Sequence, residues 1–454
     1  MNRRDALRTF AATGLAASLP TGIAASASAA AGVPPVTLHT PVLGPRMNFE
    51  EADRVMAMLG LDALVLGTGT NFQHATGHRS VVSRMGHPPS SLVIVTKHED
   101  RRLTIVTSAF GYYFTLSDML QHSGIPAYLF TQPTAQLDNG TPVAGPLTVF
   151  PDRGEVPTDE IEDNRVTATN AAIAKNGAYP TQQVALASAL KDLGLNKARL
   201  AVDHVYVDSQ VAKAAPLADI TGAEDALRRI RTVKSASEIV LMRQASAGNV
   251  AAALEAVQSV RTGGSYRQLR NEFYVAAAKR GQRGVFMVVD RTSDELYDDE
   301  FKDGQAFMID CVSEYEGYHG DYGRTVFIGE PNDSMKSATK ALATGWDSVR
   351  EQLRPGLKFS EIYMLGQKAL RTAGKTYNTP FAPHSVGLYH SDHMGQTGLP
   401  QREDIVLRPG MILSIDCPLI ETGVGGSAHL EDLMLITSDG AEPIHEIGHQ
   451  TITV

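Results

Sequence analysis

Cysteine is almost missing from this 454-residue chain: Cys311 and Cys417 are the only two, which excludes a disulfide framework and a thiolate zinc site. No extended run of lysine and arginine occurs beyond the extreme N-terminus. With 41 basic against 50 acidic residues the formal charge is −9. A nucleic-acid binder needs a basic stripe to engage phosphates, so that class is set aside. No apolar run is long enough to span a bilayer as a permanent helix, and no membrane partner is expected. What is present is an ordinary globular composition, 43% hydrophobic and 20% charged. The length suggests two domains.

The first residues are set apart from the fold. Asn2-Arg3-Arg4-Asp5-Ala6-Leu7-Arg8 is a twin-arginine pattern, and Phe10 to Leu19 is Ala-rich and only mildly apolar. Small residues from Ala25 to Ala31 offer Ala-x-Ala cleavage sites. Residues 1–31 are therefore expected to form a twin-arginine signal peptide and the mature protein to be periplasmic or secreted. A disordered Ala-rich tail is the alternative. Export after folding suits an enzyme whose metal is loaded in the cytoplasm.

A Pro-rich linker, Gly32 to Pro45, precedes an amphipathic helix over Asn48 to Leu59. Strands are expected at Leu61–Leu66, Leu92–Val95, Leu103–Val106 and Leu200–Asp203, alternating with helices, so residues 32–227 read as an α/β domain. Gly67-Thr-Gly69 lacks the spacing of a dinucleotide loop. Residues 228–454 form the expected second domain. Ser235-Ala-Ser-Glu238 fits a capping box opening a helix from Ala236 to Val257, and a second helix follows over Tyr266 to Lys279. Gly304-Gln-Ala-Phe-Met-Ile-Asp310-Cys311 aligns without gaps to Gly410-Met-Ile-Leu-Ser-Ile-Asp416-Cys417, an internal repeat of an apolar strand closed by Asp-Cys. Alternation points both thiols away from the faces bearing Asp310 and Asp416, as buried free cysteines.

An acid at the end of an apolar strand is costly to bury unless it is paired or holds a cation. Asp310 and Asp321 flank the turn Glu316-Gly-Tyr318, which would bring them together on an antiparallel hairpin. Asp416 occupies the repeat of the first strand, Glu431 leads the apolar run to Ile436, and His384 adds a nitrogen ligand. Four converging carboxylates would repel one another and shift in pKa; two divalent cations remove the repulsion and create a hydrolytic centre. Singly, each has an ordinary reading: a strand-end Asp as a turn former, a His as a hydrogen-bonding group.

The segment Asp310-Cys-Val-Ser-Glu-Tyr-Glu-Gly-Tyr-His-Gly-Asp321-Tyr-Gly-Arg324-Thr325 resembles the two-aspartate motif of the pita-bread metallopeptidases, which include Xaa-Pro aminopeptidases, prolidases, methionine aminopeptidases and the metal-free creatinase. His384-Ser-Val-Gly-Leu388, Gly410 to Pro418 and Glu431 to Thr437 resemble the histidine and two glutamate motifs of that family. Leu227 to Glu238 is similar to its interdomain stretch, and Asn71-Phe-Gln-His-Ala-Thr-Gly77 to a motif of its N-terminal domain. The resemblance implies a creatinase-like α/β N-terminal domain followed by an α+β pita-bread catalytic domain with a pseudo-twofold repeat. It implies that Asp310 holds one metal, that Asp321 and Glu431 bridge both, and that His384 and Asp416 hold the other. Two divalent ions of the Mn, Fe, Co or Zn kind are expected, Mg²⁺ also suiting so oxygen-rich a set. A homodimer is implied as well.

The departures concern the substrate side. Position 416 is Asp where the family has Glu, shorter by about 1.5 Å, which requires an inward strand shift or a looser metal. Arg291 to Leu296 lacks the family's substrate-facing His. His390-Ser-Asp-His393 replaces its His-Glu pair, leaving His390 and His393 as candidate catalytic proton carriers. Position 429 is His where the peptidases usually have Arg. The sequence is read as an exported dinuclear-metal hydrolase of an amide-type C–N bond, with a short peptide such as an Xaa-Pro dipeptide, or another small molecule, as substrate. Its rivals are a non-peptide hydrolase or lyase similar to the dimethylsulfoniopropionate lyases, and a metal-free binding module.

Overall fold

Strand β1 (Ala63–Leu66) is buried on both faces, which is why it reads as an unbroken apolar run rather than an alternating one. Leu64 and Leu66 enter one core and Ala63 and Val65 another. Around it lie β2 (Ser91–Thr96), β3 (Leu103–Ser108), β4 (Ala127–Phe130), β5 (Ala178–Tyr179), β6 (Arg199–Val202) and β7 (Asp219–Gly222), in the order β5-β4-β3-β2-β1-β6-β7. β2 is antiparallel to β1 and β3; the other neighbours run parallel. This computed structural model describes residues 44–79, 81–120, 123–131, 158–377, 379–392, 404–421, 423 and 425–454. The expected signal peptide and His393 lie outside the described residues. Among the described residues no helix is long and apolar enough to cross a membrane.

A short helix, Gly69–Thr76, which the sequence pattern did not reveal, follows β1. Its polar side chains reach the later half of the chain. Asn71 Oδ1 accepts from Arg231 Nη1 (3.0 Å), Gln73 Nε2 donates to the Glu316 carbonyl (2.6 Å), and His74 Nε2 lies 3.1 Å from Glu238 Oε1. The Asn71–Gly77 segment thus ties the first sheet to the hairpin that carries the acids. The expected boundary at Leu227 falls within the helix Glu224–Thr232.

The next helix, Ala236–Val257, starts at the expected capping box: Ser235 Oγ accepts from the Glu238 amide (3.2 Å), and Glu238 Oε2 accepts from the Ser235 amide (2.9 Å). It packs with the helix Tyr266–Lys279 against β8 (Arg283–Val289) and β9 (Ala306–Tyr315). β10 (Tyr318–His319) and β11 (Tyr322–Phe327) each pair antiparallel with β9, and β16 (Thr451–Thr453) runs parallel to β11. Between β9 and β10, Glu316 and Gly317 both have positive φ, 49° and 89°, the conformation a tight hairpin turn requires. Arg46 and Gln73 hold the Glu316 backbone in this strained state.

The same element order then recurs. The helices Asp333–Arg350 and Phe359–Thr372 pair, and β12 (Ala382–Ser385) and β13 (Ile412–Asp416) follow. β14 (Met434–Ile436) and β15 (Ala441–Pro443) complete an antiparallel sheet in the order β12-β13-β14-β15. Glu431 does not begin β14. It lies three residues earlier, in an isolated bridge to Gly323 of β11, and this bridge joins the two sheets at the acids.

Candidate metal centre

β9 places Asp310 in register with Gly323 of β11, so Asp321, just before β11, returns beside it as the hairpin reading expected. β12 delivers His384, and β13 ends on Asp416, whose register partner is Ala382. The Gly323–Glu431 bridge supplies Glu431. One ligand atom from each of Asp321, His384, Asp416 and Glu431 lies within 4.8 Å of the others; Asp310, His429 and Glu431 form a second such group. All five residues expected to ligate therefore come together, and Glu431 is shared. Asp416 reaches the cluster despite its shorter side chain, its Oδ1 standing 3.3 Å from His384 Nε2. From the same nitrogen, Asp321 Oδ2 is at 3.6 Å and Glu431 Oε1 at 3.7 Å.

The donor balance of this pocket suits cations. Asp310 Oδ1 and both oxygens of Asp321 are buried without a hydrogen-bond partner. A buried carboxylate left so is strongly disfavoured unless a positive charge faces it. Glu431 is better served, since Ser414 Oγ donates to Oε1 (2.6 Å) and His429 Nε2 lies 3.0 Å from Oε2. Oxygen ligands with an imidazole among them are a set that divalent cations accept.

Titration follows the same crowding. Burial, then Glu431 and Asp321, pushes the Asp310 carboxyl well above its ordinary range; burial and Glu431 do the same to Asp321. Burial and Glu431 push Asp416 up to about 6. Burial would raise Glu431 too, but hydrogen bonding with Asp416, His384 and His429 holds it well below. For His384, burial opposes the charged form and the facing Asp416 overcomes it, carrying its pKa well up. Without cations, protons and imidazolium charge must neutralise the pocket.

Of the two candidate proton carriers, His390 is at the site: Nε2 stands 3.1 Å from Asp321 Oδ2 and its ring centroid 5.0 Å from that of His384. Phe286 packs edge-on against it, and the side chain is 31% exposed. Burial, then His384, lowers its pKa below the ordinary value. Asp392 turns the other way, its Oδ1 accepting from Arg231 Nε (2.7 Å) in a buried pair. Arg291 to Leu296 lies on the outside, with Leu296 82% exposed. Cys311 and Cys417 are buried free thiols, as alternation implied.

Sequence reasoning noted His429 only as a departure and gave no role to Arg324 or Thr325. Thr325 Oγ1 accepts from the His429 amide (2.9 Å) and donates to its carbonyl (3.1 Å). Arg324 Nη1 donates to the Glu431 carbonyl (2.8 Å). The available signal was the Arg-Thr pair three residues after the second aspartate; the partners it holds are over a hundred residues away.

Residues 240–438 match the model of metallopeptidase family M24. A Mycobacterium tuberculosis protein named "Probable dipeptidase PepE" is 28% identical over 254 residues, 53% of this chain and 66% of that one, so the chain spans just under two thirds of that relative. The Xaa-Pro dipeptidase of Pyrococcus horikoshii is 21% identical over 272 residues, 58% of this chain and 75% of its own. The crystal structure of a dipeptidase from Pyrococcus horikoshii OT3 superposes with a TM-score of 0.64 at 16% identity, covering 90% of this chain and 100% of that one. Dipeptidase PepE from Mycobacterium ulcerans gives 0.60 at 20% identity, covering 89% and 96%. At such identities the structures establish a shared fold, the pita-bread fold of the Xaa-Pro peptidases.

Proposed function

We propose that this chain, whose residues 240–438 belong to metallopeptidase family M24, is a dinuclear metal-dependent hydrolase of an amide-type C–N bond, built like an Xaa-Pro dipeptidase but with an altered substrate side. The observation that carries the reading is the convergence of Asp310, Asp321, His384, Asp416 and Glu431, three of whose carboxylate oxygens are buried without a hydrogen-bond partner. Divalent cations held there supply Lewis-acid polarisation of a carbonyl and a water acidic enough to attack near neutrality. Glu431, present in both ligand groups, would serve both cations, and the family resemblance gives Asp321 the same bridging role. Asp310 would serve one position, His384 and Asp416 the other.

His390, whose neutral form burial and the nearby His384 favour, stands on the partly open side and can take a proton and return it to the departing nitrogen. His393 belongs to the same proposal as the alternative proton carrier. The repeated order of two helices and two strands supports a pseudo-twofold reading of the second half. The twin-arginine pattern at Asn2 to Arg8 supports export.

A second reading, a non-peptide hydrolase or lyase, is favoured by Asp392, whose carboxylate is occupied by Arg231 rather than turned to substrate. The deciding experiment is turnover by metal-loaded protein of a panel of Xaa-Pro dipeptides, other dipeptides and small non-peptide amides. Chelator-sensitive amine release from any of these supports the hydrolase reading. Chelator-insensitive turnover, or metal-loaded protein inert on every amide, would overturn it.

A further inference from the structure

An imidazole among carboxylates either donates a hydrogen bond to one of them or shares a cation with them. His429 is in that position, and the chain builds a place for it. Its backbone is clamped on both sides by Thr325 Oγ1. Its ring is buried, with Nε2 3.0 Å from Glu431 Oε2. The ring lies over Gly323, where an added β-carbon would stand 2.2 Å from Cδ2 and 2.4 Å from Nε2 of His429. Only glycine at 323 leaves that space. The cross-strand partner of Gly323 is Asp310, so the opening admits the imidazole to the carboxylate in the second ligand group.

We propose that His429 is a metal ligand, completing with Asp310 and Glu431 a second cation position, so that each position has its own imidazole: His384 in one, His429 in the other. This rests on the two-cation reading above. One ligand atom from each of Asp310, His429 and Glu431 lies within 4.8 Å of the others, close enough for one ion to reach all three, with His429 Nε2 and Glu431 Oε2 3.0 Å apart. A hydrogen bond alone would give that distance too. It would leave Asp310 Oδ1 buried and unpartnered beside them. An imidazole in this position moves its preference from Mn²⁺ and Mg²⁺ towards Zn²⁺, Fe²⁺ and Co²⁺.

The test compares wild-type protein with His429→Gln, which keeps an N–H for Glu431 but is a poor ligand. Affinity loss alone does not discriminate, since even an outer hydrogen-bonding partner costs about 10–100-fold. Selectivity does. Zn²⁺ and Mn²⁺ titrations against a competing chelator are expected to show one of the two positions losing its preference for Zn²⁺ over Mn²⁺ by about tenfold or more. Equal weakening of both metals, or none, would overturn the proposal. Should His429→Gln fail to fold, X-ray absorption of Zn²⁺-loaded His390→Gln protein decides. One imidazole per zinc at two zincs per chain supports His429 as a ligand; one imidazole per two zincs overturns it. Wild-type protein binding no divalent ion at all would instead defeat the two-cation reading on which the proposal rests.

Discussion

Arg324 and Asp432 form an ion pair in which both side chains are wholly buried, with Nη2 2.7 Å from Oδ1. The same guanidinium donates to the carbonyls of Gly323, Glu431 and His449, while His445 Nε2 stands 2.8 Å from the Asp432 oxygen. One arginine thereby ties β11, the Glu431 segment and the C-terminal stretch together behind the acids.

Breaking that pair leaves a buried carboxylate without its cation. Arg324→Met is expected to destabilise the protein by about 3–5 kcal/mol and to weaken metal binding as the Glu431 segment loosens. Urea unfolding of the metal-free protein measures the first effect. A loss below about 1 kcal/mol would show that His445 alone suffices for Asp432.

Asp321→Asn separates site from scaffold. Asparagine resembles the protonated carboxyl that burial and Glu431 favour there without metal, so the metal-free variant should melt no lower than metal-free wild type. Its activity should fall more than about 100-fold, since even outer partners of a ligand are worth 10–100-fold. Glu431→Gln should lose activity to the same extent. Full activity in the Asp321 variant would show the site to be wrongly placed.

The pH dependence should have opposite signs with and without metal. Asp416 has its folded pKa pushed up to about 6 from an ordinary 3.8, so between those values the folded metal-free protein holds more protons than the unfolded chain. Its stability from this group should therefore fall as pH rises through that window. Cation binding requires the carboxylate and should strengthen over the same range. Melting temperatures with chelator and with added Zn²⁺, from pH 4 to 8, check both; a metal-induced gain as large at pH 4.5 as at pH 7.5 would contradict the assignment.

On the substrate side, His390→Ala should reduce turnover of the true substrate by about 10²–10⁴-fold without changing metal content. Xaa-Pro dipeptides should be cleaved poorly, because the substrate-facing His is missing from Arg291 to Leu296 and Asp392 is turned towards Arg231. A kcat/KM above about 10⁴ M⁻¹s⁻¹ on several such dipeptides would show instead an unmodified proline dipeptidase.

Much of this was legible along the chain because it is local. A period-2 or unbroken apolar run marks a strand wherever it lies, so β1, β2, β3 and β6 were found to within one or two residues. The helices Ala236–Val257 and Tyr266–Lys279 were found end to end. Capping decides the start of the first within four residues. The cluster of acids was legible for a related reason, since acids in apolar surroundings stand out as unbalanced charges. The helix Gly69–Thr76 escaped because its polar faces are satisfied by Arg231, Glu238 and the Glu316 backbone, none of them near in sequence.

The sequence by itself determined which acids and imidazoles would need one another: Asp310 and Asp321 by the short hairpin between them, Asp416 by its repeat of the Asp310 strand, His384 and Glu431 by their order in the motifs. Only the tertiary structure decided which way the neighbouring groups face. It turned Asp392 away to Arg231 and His390 towards Asp321. It brought His429 through the opening at Gly323 to Asp310 and Glu431. The physical reason is that a side chain's direction is set by the partners packed around it, and those partners lie scores of residues away, where no periodicity along the chain can register them.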